Sequence, residues 1–370
     1  MAAVGLEFAA VAEVVIVGGG VAGSLLALTL GRLGTQCVLI DLHETYPADF
    51  RCEKLSIAQV AGLAGLGVAD ALEGMTGTGV ALSAAGFRYD TMVNRLRRAW
   101  PPNVRLIQER AVRLETGLDQ QTVTLSDGRQ VQARLVVVAA GPFSKLVEPL
   151  GITRLILRRR HSMCVGFSLV CDDDKTVRQA GLVHHSERAG DGMGFASLFP
   201  MDGALRVNLF AYRDPTSPWA RACLADPLGQ LFEAMPRLRR RLTGARVVGP
   251  IETRATDLYC GRGPLQPGLV LIGDADRSSC PATGMGMSRI ITDVALLSQI
   301  HIPAWLATPG VDVGKIAAFY GDEVKRRIDQ ASDRASEMGR RVALETTLRW
   351  RARRGLSRLK RAVGAIALRA

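Results

Sequence analysis

Gly18, Gly20 and Gly23 stand at the spacing at which a main chain can wrap a phosphate. Gly18 permits a tight turn, Gly20 lets the backbone approach a pyrophosphate, and Gly23 lets the next helix lie close on the preceding strand. Val21 and Ala22 lie between them and offer N–H groups at the helix start, where partial positive charge collects. Asp41 follows Gly23 by eighteen residues, near where a carboxylate accepts a hydrogen bond from a ribose hydroxyl. The chemistry this pattern points to is nucleotide binding. A second set is Gly273 and Asp274, followed by Pro281 and then Gly284, Met285, Gly286 and Met287. Asp274 can bond the hydroxyls of a ribityl chain, and the N–H groups around Gly284 to Met287 can stabilise negative charge on a reduced flavin ring.

These residues need particular elements to hold them. Val14 to Val17 reads as a strand, the glycines as its turn, the residues to Leu33 as a helix, and Cys37 to Ile40 as a second strand closing on Asp41. The run Val14 to Gly31 is eighteen residues without a charge, the length of a short membrane span. Its glycine turn argues against that reading, because such a turn in hydrocarbon leaves backbone groups unpaired. Ser56 to Leu66 reads as a helix. Asp90 is placed to cap a helix over Thr91 to Trp100, and Asp127-Gly128 to turn a hairpin. Leu135 to Ala139 reads as a buried parallel strand; its carboxyl end, at Ala140-Gly141, is where ligands of such sheets gather. Gly268 to Ile272 is a further strand, leading through the second motif into a helix that runs to Leu297.

Between these, Arg154 to Thr253 changes character. The alternating segments Ser162 to Val170, Gly194 to Phe199 and Leu205 to Tyr212 indicate an antiparallel sheet, a candidate wall for a small-molecule substrate. His184-His185 carries no metal reading, since neighbours on a strand face opposite ways and no carboxylate or cysteine cluster accompanies them. No metal site is expected.

The chain has 370 residues, is 48% hydrophobic and carries a formal charge of +12, a balance that invites a nucleic-acid hypothesis. The charge is local. From Gly339 to Ala370 there are ten basic residues against Glu345 alone. Leu348, Ala352, Leu356, Leu359, Val363 and Ile366 recur there every three or four residues, which is the pattern of a basic amphipathic helix. Such a helix suits an anionic membrane surface or packs on its own domain. No aromatic platform or helix-turn-helix pattern accompanies the charge, so nucleic acid is not the expected partner. The seven cysteines are scattered without a CxxC pair, and the N-terminus lacks the basic region of a secretion signal. These features read as reduced thiols in a cytoplasmic protein, with the tail as a candidate for peripheral attachment.

The two motifs together resemble the FAD-dependent aromatic hydroxylase superfamily, the para-hydroxybenzoate hydroxylase fold that also includes ubiquinone-biosynthesis hydroxylases, flavin halogenases and geranylgeranyl reductases. The resemblance covers roughly residues 13 to 300. It implies FAD, with the ADP part on the glycine fingerprint and Asp41, and the ribityl and ring parts on Gly273-Asp274, Pro281 and Gly284 to Met287. An arginine after the second strand lies near the pyrophosphate in that family, and here the matching residue is Arg51. The implied chemistry is hydroxylation through a flavin C4a-hydroperoxide, with NAD(P)H as candidate electron donor.

The departures point toward other branches. The family's Asp-Gly pair after the third strand is Ala140-Gly141 here, which argues against direct nicotinamide use. Glu53-Lys54-Leu55 is closer to the halogenase and prenyl-reductase branches, yet the Trp-x-Trp-x-Ile-Pro signature of tryptophan halogenases is absent. The arginine that many hydroxylases place at the start of the ring-contacting helix is replaced around Tyr89-Asp90.

The expected architecture is α/β. It comprises a Rossmann-like FAD-binding domain with a parallel sheet (1–153 and 254–300), an antiparallel-sheet substrate domain (154–253) and a helical C-terminal region (301–370). A segment near 75–95 is a candidate to join the substrate sheet. The expected function is an FAD-dependent monooxygenase acting on an aromatic or electron-rich apolar substrate. The alternatives are a reductase of isoprenoid double bonds or a halogenase served by a separate flavin reductase, and a non-catalytic flavin-binding scaffold at a membrane. No side chain is singled out as catalytic acid or base.

Overall fold

The structure is a computed structural model and describes residues 8–75, 86–143, 145–172, 182–188, 190–350 and 352. Its elements in chain order begin with β1 (Phe8–Val17), α1 (Val21–Arg32), β2 (Cys37–Asp41), β3 (Cys52–Glu53), α2 (Ile57–Gly65), β4 (Phe87–Arg88) and α3 (Tyr89–Arg98). Then come β5 (Val104–Gln108), β6 (Ala111–Glu115), β7 (Gln121–Leu125), β8 (Gln130–Val138), β9 (Thr153–Val170), β10 (Leu182–His185), β11 (Met193–Met201) and β12 (Ala204–Ala211). Three short helices follow, α4 (Pro218–Ala225), α5 (Pro227–Ala234) and α6 (Pro236–Arg239), then β13 (Arg246–Arg262) and β14 (Leu269–Leu271). The last elements described are α7 (Met285–Leu296), α8 (Ile302–Leu306), α9 (Val313–Gly321) and α10 (Glu323–Leu344).

The chain divides into two compact units. The first holds residues 1–158, 258–279 and 284–333. Its sheet runs β5-β2-β1-β8-β7-β6, with β14 also on β8. β8 is long enough to serve three neighbours. It lies parallel to β1 throughout, antiparallel to β7 over Gln130 to Ala133, and parallel to β14 over Val136 to Val138. Alternate residues of β1 enter different cores: Val14 and Ile16 pack with α1, α3 and α7, while Val15 and Val17 pack with Val38, Ile40, Val136 and Val138. A strand buried on both faces reads as an unbroken apolar run, which is why Val14 to Val17 and Leu135 to Val138 are legible in sequence.

The second unit holds residues 159–257, 280–283 and 334–370. Its antiparallel sheet has the order β10-β11-β12-β9-β13. Met163, Val165, Phe167 and Leu169 on β9 and Leu205, Val207 and Leu209 on β12 point to one face, where α4 to α6 cover them through Cys223, Leu231 and Leu238. The turn from β11 to β12 has Asp202 and Gly203 both at positive φ.

Two expectations are corrected. Asp90 does not cap a helix starting at Thr91. α3 starts at Tyr89 because Arg88 is held extended opposite Cys52, and Asp90 instead pairs with Arg88 Nε at 3.1 Å. Phe87–Arg88 does not join the substrate sheet; it forms a two-stranded sheet with Cys52–Glu53. Residues 76–85, Ser144, and the basic stripe at Leu356, Leu359, Val363 and Ile366 lie outside the described residues. Cys37, Cys223, Cys260 and Cys280 are buried thiols outside any disulfide. Among the described residues no helix is long and apolar enough to cross a membrane.

Candidate functional site

The strand ends Val17, Val138 and Leu271 are neighbours across the parallel sheet of the first unit. Both glycine motifs therefore emerge at the carboxyl edge of one sheet, Gly18 after β1 and Gly273 after β14. Gly18 has φ +101°, and a Cβ there would come within 2.5 Å of the Ala140 backbone. A Cβ on Gly23 would lie 1.9 Å from the Gly18 carbonyl oxygen, so the third glycine is what lets α1 sit on the turn. Gly273, at φ +59°, would meet Ala22 Cβ at 3.2 Å, which places the two motifs in van der Waals contact.

Helix α1 starts at Gly20 with no side-chain cap, leaving its first N–H groups for other acceptors. One of them is taken within the chain: Val21 N–H donates to the Tyr89 hydroxyl at 3.0 Å. Asp41 Oδ2 accepts from Gly19 N–H at 2.7 Å, and Asp41 Oδ1 accepts from His43 N–H at 2.9 Å. Arg97 completes this corner. Its side chain, 5% exposed, lies 3.3 Å from Asp41 and donates to the carbonyls of Gly19 at 2.6 Å, Glu44 at 2.9 Å, and His43. Sequence reasoning missed Arg97; the only signal was a charged residue on the apolar face of α3, beside Val93 and Leu96.

Arg51 lies with its guanidinium 3.5 Å from the centroid of the Tyr89 ring. Asp49 accepts from it at 2.6 to 3.1 Å, as does the Tyr46 hydroxyl at 3.0 Å. It thus stands one ring away from the start of α1. Glu53, on the next strand, belongs to the same electrostatic neighbourhood. Withdrawal from water lifts its carboxyl to about 7, Arg51 opposes that rise, and Asp49 and Asp274 add to it.

Asp274 is exposed, and its backbone carbonyl accepts from the Tyr259 hydroxyl at 2.7 Å. Helix α7 starts at Gly284, at φ +65° and again without a side-chain cap. Met285 and Gly286 are half-buried and Met287 is buried at the core. Gln59 ties this start to α2 by donating to Gly284 O and Ser288 Oγ, both at 2.9 Å. Gly141, at φ +69°, has open space where a side chain would stand. Pro281 is exposed and opens a short turn in the second unit.

Two uncapped helix starts that offer N–H donors, a glycine cradle that a Cβ would fill and an exposed aspartate that can accept at a strand end form a set that fits a dinucleotide, with the loop braced by a buried arginine. Among the described residues there is no group of His, Cys, Asp and Glu suited to a metal ion, and His184 Nε2 sits 3.1 Å from Glu187.

Comparison with known proteins agrees with this geometry. Residues 11–113 match the FAD binding domain family. The chain is 28% identical over 348 residues to the ubiquinone hydroxylase of Rhodospirillum rubrum, covering 86% of this chain and 78% of that protein. It is 24% identical to the squalene epoxidase of Schizosaccharomyces pombe, covering 79% and 70% respectively. Among solved structures, p-nitrophenol 4-monooxygenase from Pseudomonas putida superposes with a TM-score of 0.70 at 18% identity, over 94% of this chain and 92% of that one. Residues 11–113 carry an FAD-binding domain, and the chain has the fold of the FAD-dependent monooxygenases.

Proposed function

We propose that this chain is a monooxygenase that inserts oxygen into an aromatic or otherwise electron-rich, apolar substrate. The observation that carries the reading is the similarity to a ubiquinone hydroxylase over 86% of the chain, well beyond the cofactor domain. The squalene epoxidase similarity supports an apolar substrate rich in double bonds, since ubiquinone and squalene share that character. FAD, once reduced, supplies the activation of oxygen. The residues of the chain hold its ADP part at Gly18 to Gly23 and Asp41, and its ribityl and ring parts at Asp274 and Gly284 to Met287. The antiparallel sheet of the second unit is the proposed wall for the substrate.

NADH or NADPH is the proposed electron donor. Ala140 favours a second arrangement, a separate flavin reductase, because no carboxylate follows β8 to meet a nicotinamide. Mixing the holoprotein anaerobically with each nicotinamide and following flavin absorbance separates the two. Bleaching followed by oxygen uptake tied to a quinol or phenol supports the self-sufficient hydroxylase. Full photoreduction without any nicotinamide bleaching moves electron supply to a partner. Substrate conversion without oxygen uptake replaces hydroxylation by double-bond reduction.

The basic tail is proposed to rest on an anionic membrane surface, where an apolar substrate would be found. Removing residues 348–370 should abolish co-sedimentation with anionic vesicles; unchanged binding sinks the idea.

A further inference from the structure

We propose that the Tyr89 hydroxyl is a ligand of the FAD pyrophosphate, carrying the donor capacity of the Val21 N–H outward from the helix start. The proposal rests on the reading that the glycine loop holds the dinucleotide. A phenol has one proton to give and two lone pairs to offer. In Tyr89 one lone pair accepts from Val21 N–H at 3.0 Å. Among the described residues no acceptor takes the hydroxyl proton, although Tyr89 is only 9% exposed. A buried donor without an acceptor is costly, so the arrangement is complete only when a ligand oxygen receives that proton.

The ring cannot turn freely to find another acceptor. Its backbone N–H is bound to Arg51 O at 3.0 Å, the Arg51 guanidinium covers one face at 3.5 Å, and Tyr46 meets it edge-on at 5.5 Å. Gly20 belongs to the same device, because a Cβ there would stand 3.1 Å from the hydroxyl oxygen. Burial raises the phenol above its ordinary pKa, and Arg51 and the Val21 bond draw it back, so the hydroxyl keeps its proton at neutral pH. A proton held in this way is a donor to an anion, and Arg51 adds positive charge behind it.

Tyr89→Phe keeps the ring, the cation contact and the aromatic edge while removing the proton. The flavin-free full chain is titrated with ADP, adenosine and FAD. The variant should bind ADP and FAD about 10- to 100-fold more weakly, the range of one hydrogen bond to a charged group, with adenosine affinity unchanged. Unchanged ADP binding overturns the proposal, and so does equal weakening of adenosine, which marks a structural role only. Tighter ADP binding overturns it too, by showing that the hydroxyl blocks the site. Failure of the unaltered chain to bind ADP or FAD rejects the dinucleotide site itself. Arg51→Gln is the second variant: a weakened ADP-to-adenosine preference supports the clamp, and an intact one removes Arg51 from it.

Discussion

The guanidinium of Arg97 meets the carbonyl oxygen of Gly19 at 2.6 Å, in the middle of the phosphate loop. The same side chain reaches Asp41, so one buried cation ties the turn after β1 to the carboxylate after β2. Arg97→Ala strips three carbonyls of their donor and leaves Asp41 without its cation. We expect a loss of about 3 kcal/mol in urea unfolding and weakened FAD binding. Arg97→Lys should recover less than half, since one ammonium cannot span the sites a planar fork reaches. Full stability in Arg97→Ala would contradict the assignment.

Gly18 and Gly141 separate torsion from overlap. Both have positive φ, but a Cβ on Gly18 strikes the Ala140 backbone and one on Gly141 meets nothing within 4 Å. Gly141→Ala should cost about 1 kcal/mol, the left-handed penalty alone. Gly18→Ala adds a backbone clash that no rotamer can relieve, and should cost at least about 2 kcal/mol more and abolish FAD retention. Equal unfolding midpoints for the two variants would contradict the close approach of the loop to Ala140.

The contrast between these positions shows what was legible in the chain. The geometry of Gly18 and Gly23 could be read because a local turn fixes it, and the position of Asp41 because it ends β2. Ser56 was read as a helix start, and the structure shows a full capping box with Gln59. Arg97 and Tyr89 were not legible. Their partners, Gly19 and Val21, lie 78 and 68 residues away. Periodicity on α3 marks both residues only as inward-facing. Asp90 shows the opposite failure, since its local capping signal was sound, but pairing of β3 with β4 moved the helix start back to Tyr89.

Glu53 gives a pH dependence of definite sign. Its ordinary value is 4.5 and burial lifts it to about 7, so the folded state holds the proton more tightly than the unfolded chain does. The contribution of this group to stability is complete below about pH 4.5 and disappears as pH rises through about 7. Glu53→Gln should flatten the part of the stability profile that falls between those limits, measured by thermal midpoint across buffers. A profile with the same slope in the variant would assign the dependence elsewhere.

Lys325 closes the most buried ion cluster among the described residues of the first unit, and it bears on the cofactor site through α7. Its ammonium lies 3.0 Å from Asp293, 3.4 Å from Asp276 and 3.5 Å from Asp329. Arg289 shares Asp329 at 2.7 Å and Asp276 at 3.7 Å. Asp293 and Lys325 are almost wholly shielded, at 0% and 1% exposure. The cluster fastens α7, whose first residues are Met285 to Met287, to α10. Lys325→Met leaves three carboxylates facing one arginine, and should cost about 3 to 5 kcal/mol at neutral pH. Burial already pushes the Asp293 carboxyl upward, against the pull of Lys325 and Arg289. Without the lysine it rises further and is neutralised on mild acidification, so the deficit should shrink as pH falls. Adding Asp293→Asn removes one anion with the cation and should restore more than half of the loss. A double variant as unstable as the single one would mean that packing of the lysine stem, and not its charge, holds the two helices together.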